Sequence, residues 1–415
     1  MTLPTSPAFN ATSQRAPASK VPRLLYLAGP GDVLGTYRHW RAGDDDPGQV
    51  SLTYSGQFLD VCRDLGAEGY LIAYHPRPEL VRDGAFTIEH RPITHLEKGG
   101  IGFLLGQWKT AIGYVLTARR FGADAVVASD NQGAFAPLRL LRLFGIRLIP
   151  SVHCALWPVN AAPGGVRKLF FHLDAGAFRK PASAVLCVSH GVARQVRELT
   201  KGRHAPIIEF VPNYRHDVFE RIDGPPTARS PFRVLYAGRI EQYKGLFALL
   251  DIAKRFDRQG RNDIEFDVCG DGAALEELRR HAEAAGVAAN FRLHGHLSRR
   301  RMREMYAGSH VVIVPTTSNF IEGIAKAVVE GVLAGRPVIT SSVCGAVEYV
   351  RGAVEEVPPD DTRSYGDSIL RLCDDRALYE RRRAACVAAA GQFYDRDRGW
   401  AAALKRALSL AGVGA

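Results

Sequence analysis

Asn319-Phe320-Ile321-Glu322-Gly323-Ile324-Ala325-Lys326-Ala327-Val328-Val329-Glu330 sets two carboxylates, Glu322 and Glu330, eight positions apart across the start of a helical pattern expected over 323–334. Gly335 and Pro337 close the pattern, a glycine stop followed by a residue that cannot continue a helix. At 1.5 Å per residue the two acids lie on the order of 12 Å apart along the axis. A nucleotide sugar spans a similar distance from hexose to ribose, and each carboxylate can accept hydroxyl donors. The Gly323 and Ile324 amides are expected at the helix N-terminus, where N–H groups and the helix dipole favour phosphate oxygens. Glu330 stands among Val328, Val329, Val332 and Leu333, so a buried carboxylate there needs a partner. An isolated pair of this kind is also readable as a capping acid and an exposed helix residue.

About eighty residues upstream, an apolar strand at 233–237 runs into Gly238-Arg239-Ile240-Glu241-Gln242-Tyr243-Lys244-Gly245 and then an amphipathic helix. Ligands of open α/β sheets bind at the C-terminal ends of strands. Arg239 and Lys244, one planar cation and one mobile point charge, are placed there to neutralise a diphosphate. Taken singly, each is also an ordinary solvated loop charge.

Outward from these two segments, short apolar runs alternate with longer amphipathic stretches, the pattern of βα units with parallel sheets. Strands are expected at 23–28, 69–74, 124–129, 147–152, 184–188 and near 207–211, then at 233–237, 264–269, 291–294, 310–314 and 337–341. Helices are expected at 245–256, 273–285, 299–307, 376–390 and 398–411. The stretch 213–232, with Asp-Gly-Pro-Pro and Ser-Pro, has no apolar period and reads as a boundary. A chain of 415 residues exceeds what one core usually organises. The expected division is a disordered tail over 1–20, a first Rossmann-like domain over 21–213, a linker over 214–231, a second Rossmann-like domain over 232–395, and a last helix over 396–415 packing back on the first domain.

With 46% hydrophobic and 23% charged residues the composition is that of a folded globular protein. The seven cysteines, at 62, 154, 187, 269, 344, 373 and 386, contain no C-x-x-C pair and argue against a disulfide framework or zinc site, so a reducing cytoplasm is expected. The first twenty residues lack the apolar core of a secretory signal, and no apolar run is long enough to span a bilayer. A net charge of +11 favours anionic partners: a phosphorylated substrate, nucleic acid or an anionic membrane surface.

The run G-R-x4-K-G followed by E-G-I-A-K-A-V-V-E-x4-G-R-P-V-I-T resembles the donor-binding half of the retaining GT-B glycosyltransferases of family four, the group 1 glycosyltransferases. The resemblance extends through F-D-V-C-G-D-G (266–272), F-R-L-H-G-H-L (291–297) and M-Y-A-G-S-H-V-V-I-V-P (305–315). It implies two Rossmann-like domains with parallel sheets facing a central cleft. It also implies a sugar moved from a nucleotide-sugar donor to a hydroxyl acceptor with retention, in the biosynthesis of a polysaccharide, glycolipid or other glycoconjugate; with Arg239 and Lys244 doing the electrostatic work of a metal, no metal or other cofactor is expected. On the matching positions, Glu330 would hold the ribose and Glu322 with the Gly323 and Ile324 amides the donor sugar. Gly238, Arg239 and Lys244 would lie at the diphosphate, and Gly295, His296 and Leu297 near the base.

In the first half, Tyr54-Ser55-Gly56-Gln57-Phe58 resembles the family's Gly-Gly loop with one glycine missing, which marks Gly56 as a donor-phosphate contact or as an ordinary helix start. Ser151-Val152-His153-Cys154 ends a strand and resembles the active-site His segment, which assigns His153 to the reacting carbon.

Four other readings compete. Gly29-Pro30-Gly31 after the first strand suggests a dinucleotide fingerprint, but the third Gly falls one place late and the stretch from Thr36 to Asp46 reads as polar loop. Asp44-Asp45-Asp46 reads as a solvated turn, so no metal is implied. Arg299, Arg300, Arg301 and Arg303 suggest nucleic-acid binding, yet lack interleaved aromatics and read as a solvated face. A sugar-nucleotide 2-epimerase shares the two-domain plan; Glu322 and Glu330 favour transfer. Finally, residues 101–118, apolar with Trp108 and Lys109 and ending in Arg119-Arg120, suit either a core helix or a peripheral contact with the inner face of a membrane that carries a lipid-linked acceptor.

Overall fold

The structure, a computed structural model, describes residues 20–44, 46–93, 100–130, 134–158, 161, 164–180, 182–225 and 231–414. The first sheet contains β1 (Arg23–Leu27), β2 (Glu68–Tyr74), β3 (Glu79–Asp83), β4 (Phe86–Arg91), β5 (Ala125–Ser129), β6 (Arg147–Val152), β7 (Val185–Cys187) and β8 (Ile207–Glu209). Its order is β3-β4-β2-β1-β5-β6-β7-β8, parallel except for the β3/β4 pair. The second contains β9 (Phe232–Ala237), β10 (Ile264–Cys269), β11 (Phe291–Gly295), β12 (Val311–Val314), β13 (Val338–Ser341) and β14 (Val354–Val357), in the order β11-β10-β9-β12-β13-β14. From β4 to β7, and throughout the second sheet, the sequence of strands is the 3-2-1-4-5-6 of a doubly wound dinucleotide fold. The expected architecture of two parallel-sheet α/β units is therefore present.

Apolar runs make these strands because parallel sheets are covered on both faces. All five residues of β5 are buried, as are Val311–Val314 and Val338–Ser341. Strand existence was readable from such runs; β3, β4 and β14 were not. The first two form a hairpin in which β3 is largely exposed, and β14 is short and carries two glutamates, so none reads as an apolar run.

Two helical boundaries correct the sequence reading. Residues Val33–Ala42 are helical, capped by the Asp32 side chain on the Gly35 amide, with Val33, Leu34, Thr36 and Tyr37 buried in its first turns. The polar stretch that had argued for a loop is thus the helix's outer face, and Asp44 and Asp46 follow its end; Asp45 lies outside the described residues. The second correction concerns the decisive segment. Its helix is Lys326–Leu333, so Gly323 and Ile324 precede it in a turn and Glu322 is off the helix altogether.

Arginine side chains bridge the two units. The arginines expected as a solvated face divide: Arg300 and Arg301 pair with Glu304, whereas Arg299 donates to the carbonyls of Asp46 and Gln49, and Arg303 to those of Asp217, Val218 and Glu220. These guanidinium groups fasten the second sheet's helix Arg299–Gly308 to the first domain and the junction.

The chain's last helix, Trp400–Leu410, lies against the first sheet's helix Tyr54–Leu65. Trp400 is fully buried between Tyr26 and Tyr54, and its Nε1 donates to Ser151 Oγ at 2.9 Å. The Ala401 amide donates to Gln57 Oε1, and Lys405 pairs with Asp64. Truncating a buried tryptophan typically costs about 3–5 kcal/mol through lost burial and a residual cavity. Trp400→Ala is accordingly expected to lower the first domain's resistance to urea by about that amount, measured by the unfolding midpoint, while Leu410→Ala at an exposed position leaves it nearly unchanged.

Candidate active site

A cavity of about 920 Å³ opens between the two units. Its first-domain wall includes the turn Gly29-Pro30-Gly31 at the end of β1, the ends of β5 and β6 at Asp130 and His153, and Asp174. Arg239, Phe320, Ile321 and Lys326 face them from the second domain. The C-terminal strand ends of both sheets therefore meet across one space, as the fold dictates.

On the second-domain side, Lys244 Nζ and Glu322 Oε2 form an ion pair of 2.6 Å. Both side chains are mostly buried, at 14% and 16% exposure, so water screens the pair far less than a surface bridge. The pair is framed by aromatics: Tyr243 and Phe320 stack at 4.3 Å, and the Lys244 ammonium sits 4.4 Å from the Phe320 ring centre. Arg239 lies over Tyr243 at 5.8 Å, exposed to the cleft and without an ion-pair partner among the described residues. The segment that carries Lys244 turns sharply at Gly245, whose φ of +76° and contact with the Pro315 carbonyl leave no room for a side chain.

Gly323 brings the two halves together. A Cβ at this position would overlap the His153 carbonyl oxygen, so glycine alone lets the turn after Glu322 rest on the first domain's backbone. His153 is held from behind. Trp400 donates to Ser151 Oγ, which lies 2.9 Å from His153 Nε2, and the His153 and Cys154 amides both donate to Asp130 Oδ2, at 3.1 and 2.8 Å. Burial and the Lys326 ammonium push the imidazole down to about 3, which keeps it neutral. Its Nδ1 is buried with no hydrogen-bond partner among the described residues.

Lys326 and Glu330, four apart, share one face of their helix. Burial pushes the Glu330 carboxyl up, against the opposing pull of Lys326 and of the Tyr306 hydroxyl, which donates at 3.1 Å. Lys326 extends into the cleft, donates to Ser51 Oγ of the first domain at 2.9 Å, and is pushed down by its protein surroundings.

The structure thus joins Lys244 to Glu322, brings Gly323 against His153, and sets Arg239 on the cavity that His153 lines; Lys244 and Glu322 are not among its lining residues. Gly238, with its amide on the Cys269 carbonyl, and Gly295, whose carbonyl accepts from Gly270, lie together at the ends of β9, β10 and β11. His296 is exposed there, and Leu297 packs on the core. Ile324 is buried. Glu330, held by the Tyr306 hydroxyl, is not among the residues that line the large cavity. Gly56 is inside the first turn of helix Tyr54–Leu65, its amide on Thr53 Oγ1, facing a separate recess of about 160 Å³. The glycine turn that reaches the large cavity is Gly29-Pro30-Gly31 instead, the segment set aside with the dinucleotide reading.

Sequence reasoning missed Lys326, Asp130 and Asp174. Lys326 was visible as the one cation in the motif's apolar run, and Asp130 as the residue that follows an apolar strand. Asp174 had no local signal, since its place depends on how the helix Gly165–Asp174 packs. Among the described residues no three His, Cys, Asp or Glu side chains converge as a metal-binding group.

Two doubly wound sheets meeting at their strand ends, with paired cations and acids on the second, define a GT-B glycosyltransferase. The model of the glycosyl transferases group 1 matches residues 220–390, and that of the glycosyl transferase 4-like domain matches residues 53–214. The chain belongs to the group 1 glycosyltransferases.

Among known proteins it is similar to an alpha-D-kanosaminyltransferase of Streptomyces kanamyceticus, 26% identical over 67% of this chain and 76% of the relative. It is also similar to a 2-deoxystreptamine N-acetyl-D-glucosaminyltransferase of Streptomyces fradiae, 26% identical over 76% and 78%. Sucrose-phosphate synthase from Thermosynechococcus elongatus shares the fold, with a TM-score of 0.66 at 15% identity over 93% of this chain and 97% of that one.

Burial pushes the Asp130 carboxyl up to about 6, against an unfolded value of ~3.9. The folded chain then binds this proton more tightly than the unfolded chain, so stability falls as pH rises from about 4 to 6. Asp130→Asn is expected to flatten that fall by on the order of 2 kcal/mol, read from urea unfolding at several pH values.

Proposed function

We propose that this glycosyltransferase transfers a hexosyl or related residue with retention of anomeric configuration, without a metal ion, within the biosynthesis of a glycoconjugate. The observation that carries the reading is the Lys244–Glu322 pair, closed against His153 by Gly323 at the meeting of the two sheets. Arg239 and Lys244 would bind the donor's diphosphate, and their charge would stabilise it as it leaves. Glu322 would hold the donor sugar and Glu330 the ribose. Neutral His153 would offer a hydrogen bond near the anomeric carbon, without adding charge beside an oxocarbenium-like centre.

In this scheme the bond from the anomeric carbon to the phosphate oxygen breaks and the bond to the acceptor oxygen forms on the same face. The acceptor's proton passes to the departing phosphate. Positioning and charge stabilisation do most of the work.

Binding of a nucleoside diphosphate raises thermal stability by mass action, so UDP, GDP and ADP are to be compared by melting temperature. Charge-assisted hydrogen bonds contribute ~1.5–3 kcal/mol, and Lys244→Ala is expected to weaken the preferred diphosphate about 10- to 100-fold with the fold retained. Transfer is expected to persist in EDTA. Wild-type nucleotide affinity in Lys244→Ala would remove the assignment, and interconversion of the donor sugar without transfer would favour the epimerase reading.

The helix Gly100–Phe121 leaves Leu105 66% exposed and Ile112 and Leu116 also exposed, while the adjoining turn Ala136–Phe144 adds Leu140 and Leu143. No described helix is long and apolar enough to cross a membrane. The reading includes a peripheral contact made by this face, with Arg119, Arg120 and Arg142 nearby to attract anionic lipid. Co-sedimentation with phosphatidylglycerol vesicles is expected to weaken in Leu105→Ser/Leu143→Ser and at high salt; absence of binding at low salt would sink this part.

A further inference from the structure

Lys326 differs from the two cations that the sequence motif singles out. Lys244 is already countered by Glu322 at 2.6 Å, and neither of that pair lines the large cavity. Arg239 and Lys326 do line it, both from the second domain. Lys326 opens the helix Lys326–Leu333, whose N-cap, Ala325, has no side chain able to accept from the helix amides. It interrupts an otherwise apolar run from Ile324 to Val329. An ammonium thus enters the cleft where the pattern calls for a hydrocarbon side chain.

Little balances that charge. Lys326 makes no ion pair among the described residues, and the acid four positions on, Glu330, is held by the Tyr306 hydroxyl and pushed up by burial. The ammonium donates to Ser51 Oγ at 2.9 Å, and with three donors it keeps capacity for a ligand. Ser51 is buried on the first domain and pairs with Tyr214 in an isolated bridge, so the anchor is fixed. Lys326 also stands close enough to His153 to help push that imidazole down. It therefore lies on the His153 side of the cavity.

We propose that Lys326 is a further catalytic residue, a cation that binds the phosphate from which the sugar departs and that Ser51 holds in place across the cleft. The inference rests on the reading of the chain as a transferase of a nucleotide-linked sugar. When the bond from the anomeric carbon to the phosphate oxygen breaks, its electron pair stays on that oxygen, and the phosphate gains a negative charge until the acceptor's proton reaches it. A cation already countered by a carboxylate offers little to that new charge. One without a counter-ion offers its full field, and in a cleft the field is stronger than in water. The desolvation that pushes the ammonium down acts in the same sense, since a bound anion relieves it. Because Lys326 and Ser51 stand on different domains, their hydrogen bond also ties the position of the charge to the meeting of the two units.

The test is isothermal titration of the full chain with UDP, GDP and ADP and with the matching monophosphates. The diphosphates alone carry the terminal phosphate, the one that bears the sugar in a donor. Lys326→Met is expected to weaken the preferred diphosphate at least about tenfold and to leave its monophosphate nearly unchanged. Lys326→Gln, which keeps a hydrogen-bond donor and drops the charge, is expected to fall with it and gives the reading should the Met variant fold poorly. Ser51→Ala is expected to show part of the loss and Ser51→Thr to recover it. A diphosphate-to-monophosphate ratio that stays at the wild-type value in the Lys326 variants, or an equal loss for both nucleotides, overturns the assignment; an unchanged ratio in Ser51→Ala removes the anchor. A wild-type chain that binds none of the diphosphates counts against the transferase reading itself, whereas binding with an unchanged ratio counts against Lys326 alone.

Discussion

Close backbone approach at Gly323 is the constraint on which the cleft depends. Two doubly wound sheets could meet at many angles, but here the turn after Glu322 rests on the His153 carbonyl, a contact that any side chain at 323 would forbid. That approach fixes the separation of the walls. It carries Lys326 within hydrogen-bonding distance of Ser51 on the first domain and sets Glu322 at the cleft edge, where Lys244 meets it. The arginines Arg299 and Arg303 hold the same relationship from the side, spending their donors on backbone carbonyls of the first domain and the junction.

The reacting region is supported by a part of the chain remote in sequence. Trp400 donates to Ser151 Oγ, Ser151 contacts His153, and Asp130 collects the two amides that follow β6. The orientation of the imidazole thus depends on one tryptophan of the last helix and one carboxylate at the end of β5, while burial and Lys326 keep it neutral. The two walls also differ in kind: the second domain brings Arg239 and Lys326 to the cavity, and the first brings Asp32, Asp130 and Asp174 among phenylalanines.

The fold was legible because parallel strands must be apolar on both faces, and the runs that meet this demand, such as Val311–Val314 and Ile264–Cys269, are visible without any tertiary context. Exposed β3 and glutamate-bearing β14 escape that rule. The identities of Arg239, Lys244, Glu322 and Glu330 were legible for a related reason: motif spacing records where strands end and helices begin. What no spacing records is a contact between distant segments. The start of the helix at Lys326 instead of Gly323, the place of Gly56 in a helical turn beside a different recess, the joining of Trp400 to His153 and the arrival of Asp174 at the cavity all follow from packing of elements far apart in the chain. Sequence by itself determined which elements form and which charges they carry, since both are local properties of the residues. The tertiary structure alone decided which of those charges face one another, because that depends on how closely two backbones can approach.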